Sequence, residues 1–370
     1  MQFSQRVLPK LVLPGVFFAY ALWSSVSFLV DASQYQNELP NTAASVIDGN
    51  FTAKLETIYK DRLPYRTAST DLVGAARYLM FGEGRKGVVV GSDGWLFSNE
   101  EYRAADDETK RINEAVRAVA QVRDQLAARG TALVVLPLPG KADIYREHTA
   151  YPSLSEAMAD RYERFRDALA VENVVTVDTR SALLSGKSGR QVFLKGDTHW
   201  SPEGAAIVAG ATARVAGSMI APQPFTLTAG ETLPVEGDLT KFIVSPHYAS
   251  LFSLAPEEVT LQRAAAEQPA SDLALDIFGG QQIDVALVGT SYSANEKWSF
   301  AASLMSAMGA DIVNFAEEGN GPFRPMRDYL SSDLATGTPP KLVLWEFPVR
   351  YLTDPDALVA MTSQGDEGHE

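Results

Sequence analysis

Between about residues 110 and 350, unbroken apolar runs too short for helices alternate with longer segments of helical period, and this alternation restricts the fold more than any other feature. Ile112, Val116, Val119, Val122 and Leu126 recur at three- and four-residue intervals, a single apolar helical stripe ending before Gly130. Residues 132–136 are then continuously apolar, as in a strand covered on both faces, followed by a turn with Pro137, Pro139 and Gly140. A helix over 155–171 leads to a strand at 174–177. A further helix runs from Pro202 to about Met219, with Ser201 as N-cap and Pro202 at its first position. Periodicity fades over 220–282, which reads as an irregular, partly β insertion. A strand at 283–288, a helix through Met308, a strand at 312–315, a helix near 325–334 and a strand at 342–347 complete the pattern. The class is α/β: a largely parallel sheet covered by helices on both faces.

Upstream, Val88, Val89 and Val90, the turn Ser92-Asp93-Gly94, then Trp95 and Phe97 read as a hairpin over 86–97. Residues 41–82 are amphipathic and helical with a break at Leu63, Pro64 and Tyr65, a lead-in to the main domain. Residues 11–30 carry no charge, Arg6 and Lys10 precede them and Asp31 follows. A helix of that length, at about 1.5 Å per residue, spans about 30 Å of hydrocarbon. The basic flank leaves the short tail in the cytoplasm and the rest outside it. A cleaved signal peptide, with its apolar region of about 7–15 residues and small-x-small site, fits less well. The expected organisation is a cytoplasmic tail over 1–10, an anchor over 11–30, a helical lead-in over 31–85, a catalytic domain over 86–352 with its insertion at 220–282, and a polar tail over 353–370.

With 370 residues, 46% of them hydrophobic, the chain can bury a large core and is no disordered segment. A net charge of -14 without any basic run argues against nucleic acid as a partner. The absence of cysteine excludes thiol catalysis, thiolate metal sites and disulfides.

Two segments carry chemistry. In Gly289-Thr290-Ser291-Tyr292-Ser293, a serine sits on a strand-to-helix turn that projects its hydroxyl out of the sheet, with its own backbone N–H available to an oxyanion. Such a turn also serves as a plain helix cap. In Gly196-Asp197-Thr198-His199-Trp200, an Asp two residues before a His supplies a general base together with the carboxylate that orients it, which a serine nucleophile needs. Alone, this segment reads equally as a turn capping the next helix; together the two favour catalysis. Of the other three histidines, His148 and His247 lie in polar stretches without a motif and His369 in the tail. Four scattered His without Cys make a poor zinc set, and neither a P-loop nor a dinucleotide fingerprint occurs, so no metal or cofactor is expected.

The segments VVVGSDGWLF (88–97), LPLPGKADIY (136–145), GDTHWSPEGA (196–205), VGTSYS (288–293), EEGNGPF (317–323) and LWEFPVRYL (344–352) resemble the periplasmic alginate O-acetyltransferase family, whose catalytic domain is similar to SGNH (GDSL-type) hydrolases. There Asp and His precede Ser, the reverse of the usual hydrolase order, and this chain has that permuted order. The resemblance implies acetyl transfer to an exported polysaccharide. Ser291 would take the acetyl group, His199 would move its proton and Asp197 would orient His199. The Ser291 backbone N–H would be one oxyanion donor and Asn320 a candidate second. It further implies a membrane-bound O-acyltransferase as acetyl source, and inner-membrane attachment with the catalytic domain in the periplasm. Tyr292, Lys141 and Arg324 are substrate-binding candidates, with Lys195, Lys297 and Arg327 as further cations for a polyanion. A carbohydrate esterase and a non-catalytic scaffold of an export complex remain as alternatives.

Overall fold

The computed structural model describes residues 4–40, 42–62, 66–267 and 283–357. The expected helix break at Leu63, Pro64 and Tyr65, the last part of the insertion (268–282), and the tail beyond 357 with His369 lie outside the described residues. The chain divides into two compact units, Met1–Ala76 and Arg77–Glu370.

The first unit is helical: α1 Ser4–Val30, α2 Ala43–Ile47, α3 Asn50–Arg62 and the start of α4 Arg66–Phe81, within which the division falls. Helices thus occupy 43–47, 50–62 and 66–81 of the stretch read as helical over 41–82. Side chains of α1 are described from Pro14 onward, and Val16, Phe17, Phe18, Leu22, Leu29 and Val30 among them are exposed. Among the described residues no helix is long and apolar enough to cross a membrane.

The second unit opens with the antiparallel hairpin of β1 Val88–Val90 and β2 Leu96–Ser98. Its turn uses Asp93 and Gly94 at φ of 53° and 79°, the left-handed pair that a type I′ turn requires. Then follow α5 Glu108–Ala127, β3 Ala132–Leu138, α6 Lys141–Ile144, α7 Pro152–Val171, β4 Val175–Thr176, α8 Thr179–Gly186 and α9 Pro202–Ala216. As expected, the Ser201 hydroxyl caps α9, accepting from Gly204 N at 3.1 Å. The insertion contains a long antiparallel ribbon, β5 Phe225–Val235 with β6 Glu257–Ala266, which flank the short α10 Pro246–Ala249. It is thus more regular than its mixed polar and apolar composition suggests. The chain continues through β7 Val285–Val288, α11 Ser291–Ala294, α12 Phe300–Met308, β8 Ile312–Asn314, α13 Phe323–Leu330, α14 Asp333–Thr336 and β9 Leu342–Pro348.

Five strands form one parallel sheet in the order β4-β3-β9-β7-β8. The last strand of the sequence is central, between β3 and β7. Alternate residues of β3, β7 and β9 feed opposite cores. Val134, Leu136, Leu287 and Leu344 pack with α9 and α12 residues such as Val208 and Leu304. Val135, Val288, Val343 and Trp345 pack with Val119, Phe165 and Met326 of α5, α7 and α13. Truncating one of these fully buried side chains to Ala costs about 2–5 kcal/mol.

The helix read near 325–334 is two, α13 and α14, and two further differences from the sequence reading have identifiable reasons. β3 continues through Pro137 instead of turning there. Val135 O accepts from Val177 N on the β4 side, so residue 137 directs its backbone the same way, past the end of β4, where no strand asks for the missing N–H. The helix read through Met308 is broken: Asn295 Oδ1 caps Lys297 N at 3.1 Å, and Ser299 adopts a left-handed φ of 56° before α12 begins. That break brings Trp298 to the site described next.

Candidate active site

Ser291 is the first residue of α11, just beyond the carboxyl end of β7, where open parallel sheets present their reactive groups. The Asp197 and His199 segment, by contrast, follows no strand of the sheet. It is a loop between α8 and α9, pinched by an isolated bridge between Phe193 and Trp200.

That loop places His199 Nε2 2.7 Å from Ser291 Oγ and His199 Nδ1 2.7 Å from Asp197 Oδ1. Asp197 Oδ1 also accepts from His199 N at 2.9 Å, and Oδ2 from Asp238 N at 3.0 Å. Asp197 is buried, whereas His199 and Ser291 are half-buried and reach the surface. Burial alone raises the Asp197 carboxyl, but the hydrogen bond and charge of His199, with the two backbone N–H groups, outweigh it and hold the carboxyl below its ordinary value. The arrangement is a hydroxyl, an imidazole and an ionised carboxylate in series, able to take a proton from the hydroxyl and hold it.

The remaining letters of the two motifs join them. Trp200 Nε1 donates to Tyr292 O at 3.2 Å, and Tyr292 OH donates to Thr198 O at 2.9 Å. The His199 ring lies between aromatic neighbours: Trp298 stacks on it at 5.0 Å and 18°, and Tyr292 packs at 4.8 Å and 58°. The ring is therefore held by packing against two aromatic side chains as well as by Asp197.

Two of the substrate-binding candidates are interior groups. Lys141 is fully buried; its ammonium donates to the carbonyls of Leu194, Lys195 and Asp197 at 2.7, 2.9 and 2.7 Å, and faces Trp95 and Phe97. Burial pulls it down to about 8. It ties the Asp197 loop to the end of β3 and does not face solvent. Tyr292 is 2% exposed, and its hydroxyl is engaged by Thr198 and by Arg350 Nη1 at 3.2 Å. Arg324 is half-exposed and pairs with Asp328 at 3.7 Å. The Asn320 amide donates to Glu317 Oε2 at 2.8 Å. Lys195 and Lys297 reach the surface beside the site, Lys195 two residues before Asp197 and Lys297 adjoining Trp298. His148 stacks on Trp95 in the hairpin, and His247 is exposed.

Sequence reasoning missed Asp238, Trp298 and Glu346. Asp238 Oδ1 accepts from Thr198 N and Oγ1 at 2.8 and 3.1 Å, and burial and the Asp197 charge raise its carboxyl. Its neighbour Gly237 presses against Gly196, where a Cβ would stand 2.1 Å from the carbonyl oxygen. The insertion therefore clasps the Asp197 loop. A possible signal was the Glu-Gly-Asp turn at 236–238, although the same residue types suit any surface turn. Asp197, His199 and Asp238 also bring three potential ligand atoms within 4.8 Å of one another. Those atoms are already engaged by backbone N–H groups, by each other and by Ser291, which is the bonding of a proton relay rather than of an ion cage.

Residues 88–349 match the family described as "SGNH hydrolase-like domain, acetyltransferase AlgX". The chain is 35% identical over 356 residues to "Probable alginate O-acetylase AlgJ" of Pseudomonas syringae pv. tomato, covering 94% of this chain and 88% of that protein. With the protein of the same name from Azotobacter vinelandii it shares 37% identity over 343 residues, 91% and 86% of the two chains. The solved "O-Acetyltransferase Domain of Pseudomonas putida AlgJ" superposes with a TM-score of 0.63 at 35% identity, covering 75% of this chain and 99% of that one.

Proposed function

The chain belongs to the SGNH-hydrolase-like acetyltransferase family of AlgX, and on that premise we propose that it is an O-acetyltransferase that acetylates hydroxyls of alginate, with Ser291, His199 and Asp197 as its catalytic residues. The observation that carries the assignment of residues is the pair of 2.7 Å contacts that His199 makes with Ser291 and Asp197. The assignment of acceptor rests on the AlgJ relatives, each named "Probable alginate O-acetylase" and matched over 88% and 86% of its length.

Ser291 Oγ attacks the acetyl carbonyl while His199 Nε2 takes its proton; the C–O bond to the donor breaks, and the leaving group departs with that proton. Asp197 keeps the imidazole in the tautomer that accepts at Nε2 and stabilises the cation formed. The Ser291 N–H faces the oxyanion, with the second amide hydrogen of Asn320 as its candidate companion. His199 then deprotonates a sugar hydroxyl, which attacks the acetyl-serine and regenerates the enzyme. Lys195 and Lys297 supply local positive charge for a uronate chain on an otherwise acidic protein.

By the family resemblance the acetyl source is a membrane-bound O-acyltransferase, and residues 11–30 attach the protein to the inner membrane with the catalytic unit in the periplasm. What supports this is the uncharged stretch at 11–30, its basic flank at Arg6 and Lys10, and the exposed apolar side chains of α1 from Val16 to Val30. Full-length protein should stay with washed membranes. The function is tested by offering an activated acetyl ester with oligomannuronate: acetylated sugar is expected, and free acetate alone would replace the transferase with an esterase.

A further inference from the structure

We propose that Glu346 is the positioning residue of the nucleophile, holding the Gly289–Ser293 turn so that Ser291 Oγ meets His199. This deepens the acyltransferase reading and rests on it.

Glu346 lies near the carboxyl end of β9, the central strand of the sheet, in a run of seven buried residues of which it alone is charged. Its exposure is nil. A buried ionic group in such a strand is poor for stability compared with an apolar one, so its presence calls for another reason. Its contacts supply one. Oε2 accepts from Thr290 N at 2.7 Å, Thr290 Oγ1 at 3.0 Å and Ser293 Oγ at 3.1 Å, and Oε1 accepts from Thr290 Oγ1 at 3.1 Å. The two residues it grips flank Ser291 and Tyr292. Thr290 is also the N-cap of α11, its hydroxyl accepting from Tyr292 N. A single carboxylate thus fixes both ends of the turn from beneath.

The turn is shaped to admit this group. A Cβ on Gly289 would stand 2.5 Å from Glu346 Oε2 and 2.9 Å from its Cβ, so only glycine allows the carboxylate so close to the backbone. All three donors point at an acceptor, which is what an ionised carboxylate provides and a carboxylic acid provides only in part. The titratable groups near it are Arg350, whose charge favours the ionised form, and the neutral Tyr292, whose hydroxyl Arg350 also contacts. Burial, partly offset by Thr290, Ser293 and Arg350, pushes Glu346 up to about 7. The group therefore changes charge near neutrality, where its grip on the turn can be tested by pH.

The experiment is acylation by p-nitrophenyl acetate, followed through the initial burst, for the wild-type chain, Glu346→Gln, Thr290→Val, Ser293→Ala and the double variant E346Q/T290V. Gln keeps the shape but turns an amide toward donors. A turn displaced by about 1 Å loses about a hundredfold in rate, so the burst rate constant of Glu346→Gln should fall by about that factor with its half-saturating ester concentration little changed and the unfolding temperature undiminished. Thr290→Val and Ser293→Ala should each lose less, and the double variant no more than Glu346→Gln alone, because the residues act through one another. If Glu346→Gln does not fold, the losses of Thr290→Val and Ser293→Ala carry the test. Wild-type acylation rates in both, or in Glu346→Gln, overturn the inference, as does a loss that tracks falling thermal stability. If the wild-type chain itself is not acylated, the acyltransferase reading falls and this inference with it.

Discussion

Trp200 Nε1 donates to the Tyr292 carbonyl oxygen at 3.2 Å, joining the residue after His199 to the residue after Ser291. With the return bond from Tyr292 OH to Thr198 O, it makes the two motif segments one unit. Trp200→Phe removes the donor and leaves a buried carbonyl unmatched, at about 1–3 kcal/mol. Thermal unfolding should register that loss, and kcat should fall with KM nearly unchanged, because what loosens is the alignment of His199 with Ser291.

Lys141→Met tests the reassignment of that lysine from the substrate to the interior. Removing its ammonium strands the carbonyls of Leu194, Lys195 and Asp197. A buried polar group left without its partner costs about 1–3 kcal/mol, which denaturant unfolding would measure directly. A variant of normal stability with weaker acceptor binding would return Lys141 to the substrate side.

Glu346 also makes a prediction for stability against pH. Its folded value is raised from 4.5 to about 7, so between those limits the native state binds more protons than the unfolded chain, and the group's contribution to stability falls as pH rises. Wild type and Glu346→Gln should match near pH 5 and diverge by about 3 kcal/mol above pH 8, with the variant the more stable. Unfolding at a series of pH values checks this. The site would then be an instance of stability given up for geometry.

The two aspartates beside His199 should separate. Asp197→Asn leaves the loop in place but removes the charge that fixes the imidazole tautomer, and kcat should drop by about four orders of magnitude. Asp238→Asn loosens the bonds to Thr198 while sparing those of Asp197, and relieves a like-charge contact. Its kcat should stay within about tenfold of wild type, and steady-state rates on one acetyl donor compare the two.

Much of this was legible in the sequence because the relevant forces act over short separations. The apolar period of α5 and the continuous runs of β3 and β9 set the layered α/β arrangement, and Ser201 with Pro202 marked the start of α9. The boundaries that failed depended on neighbours. Pro137 stays in β3 only because β4 has already ended beside it, and the helix after Ser291 breaks at a left-handed Ser299. Asp197, His199 and Ser291 were identifiable because Asp and His share one loop and histidines are few. Asp238 and Glu346 were not, since each reaches the site from 40 or more residues away and has no pattern around it: one is an acid in an irregular insertion, the other an acid in an apolar strand. Lys141 was misplaced for the converse reason. Lysine is ordinarily a surface residue, and only the fold reveals three carbonyls converging on its ammonium.

The central claim is that acetyl passes through Ser291. Brief exposure to p-nitrophenyl acetate, acid quenching and mass analysis of the peptides should find one acetyl group on the peptide containing Ser291, chased away by oligomannuronate with matching acetylation of the sugar. Ser291→Ala should carry none and transfer none. Transfer at the wild-type rate by Ser291→Ala would contradict the account.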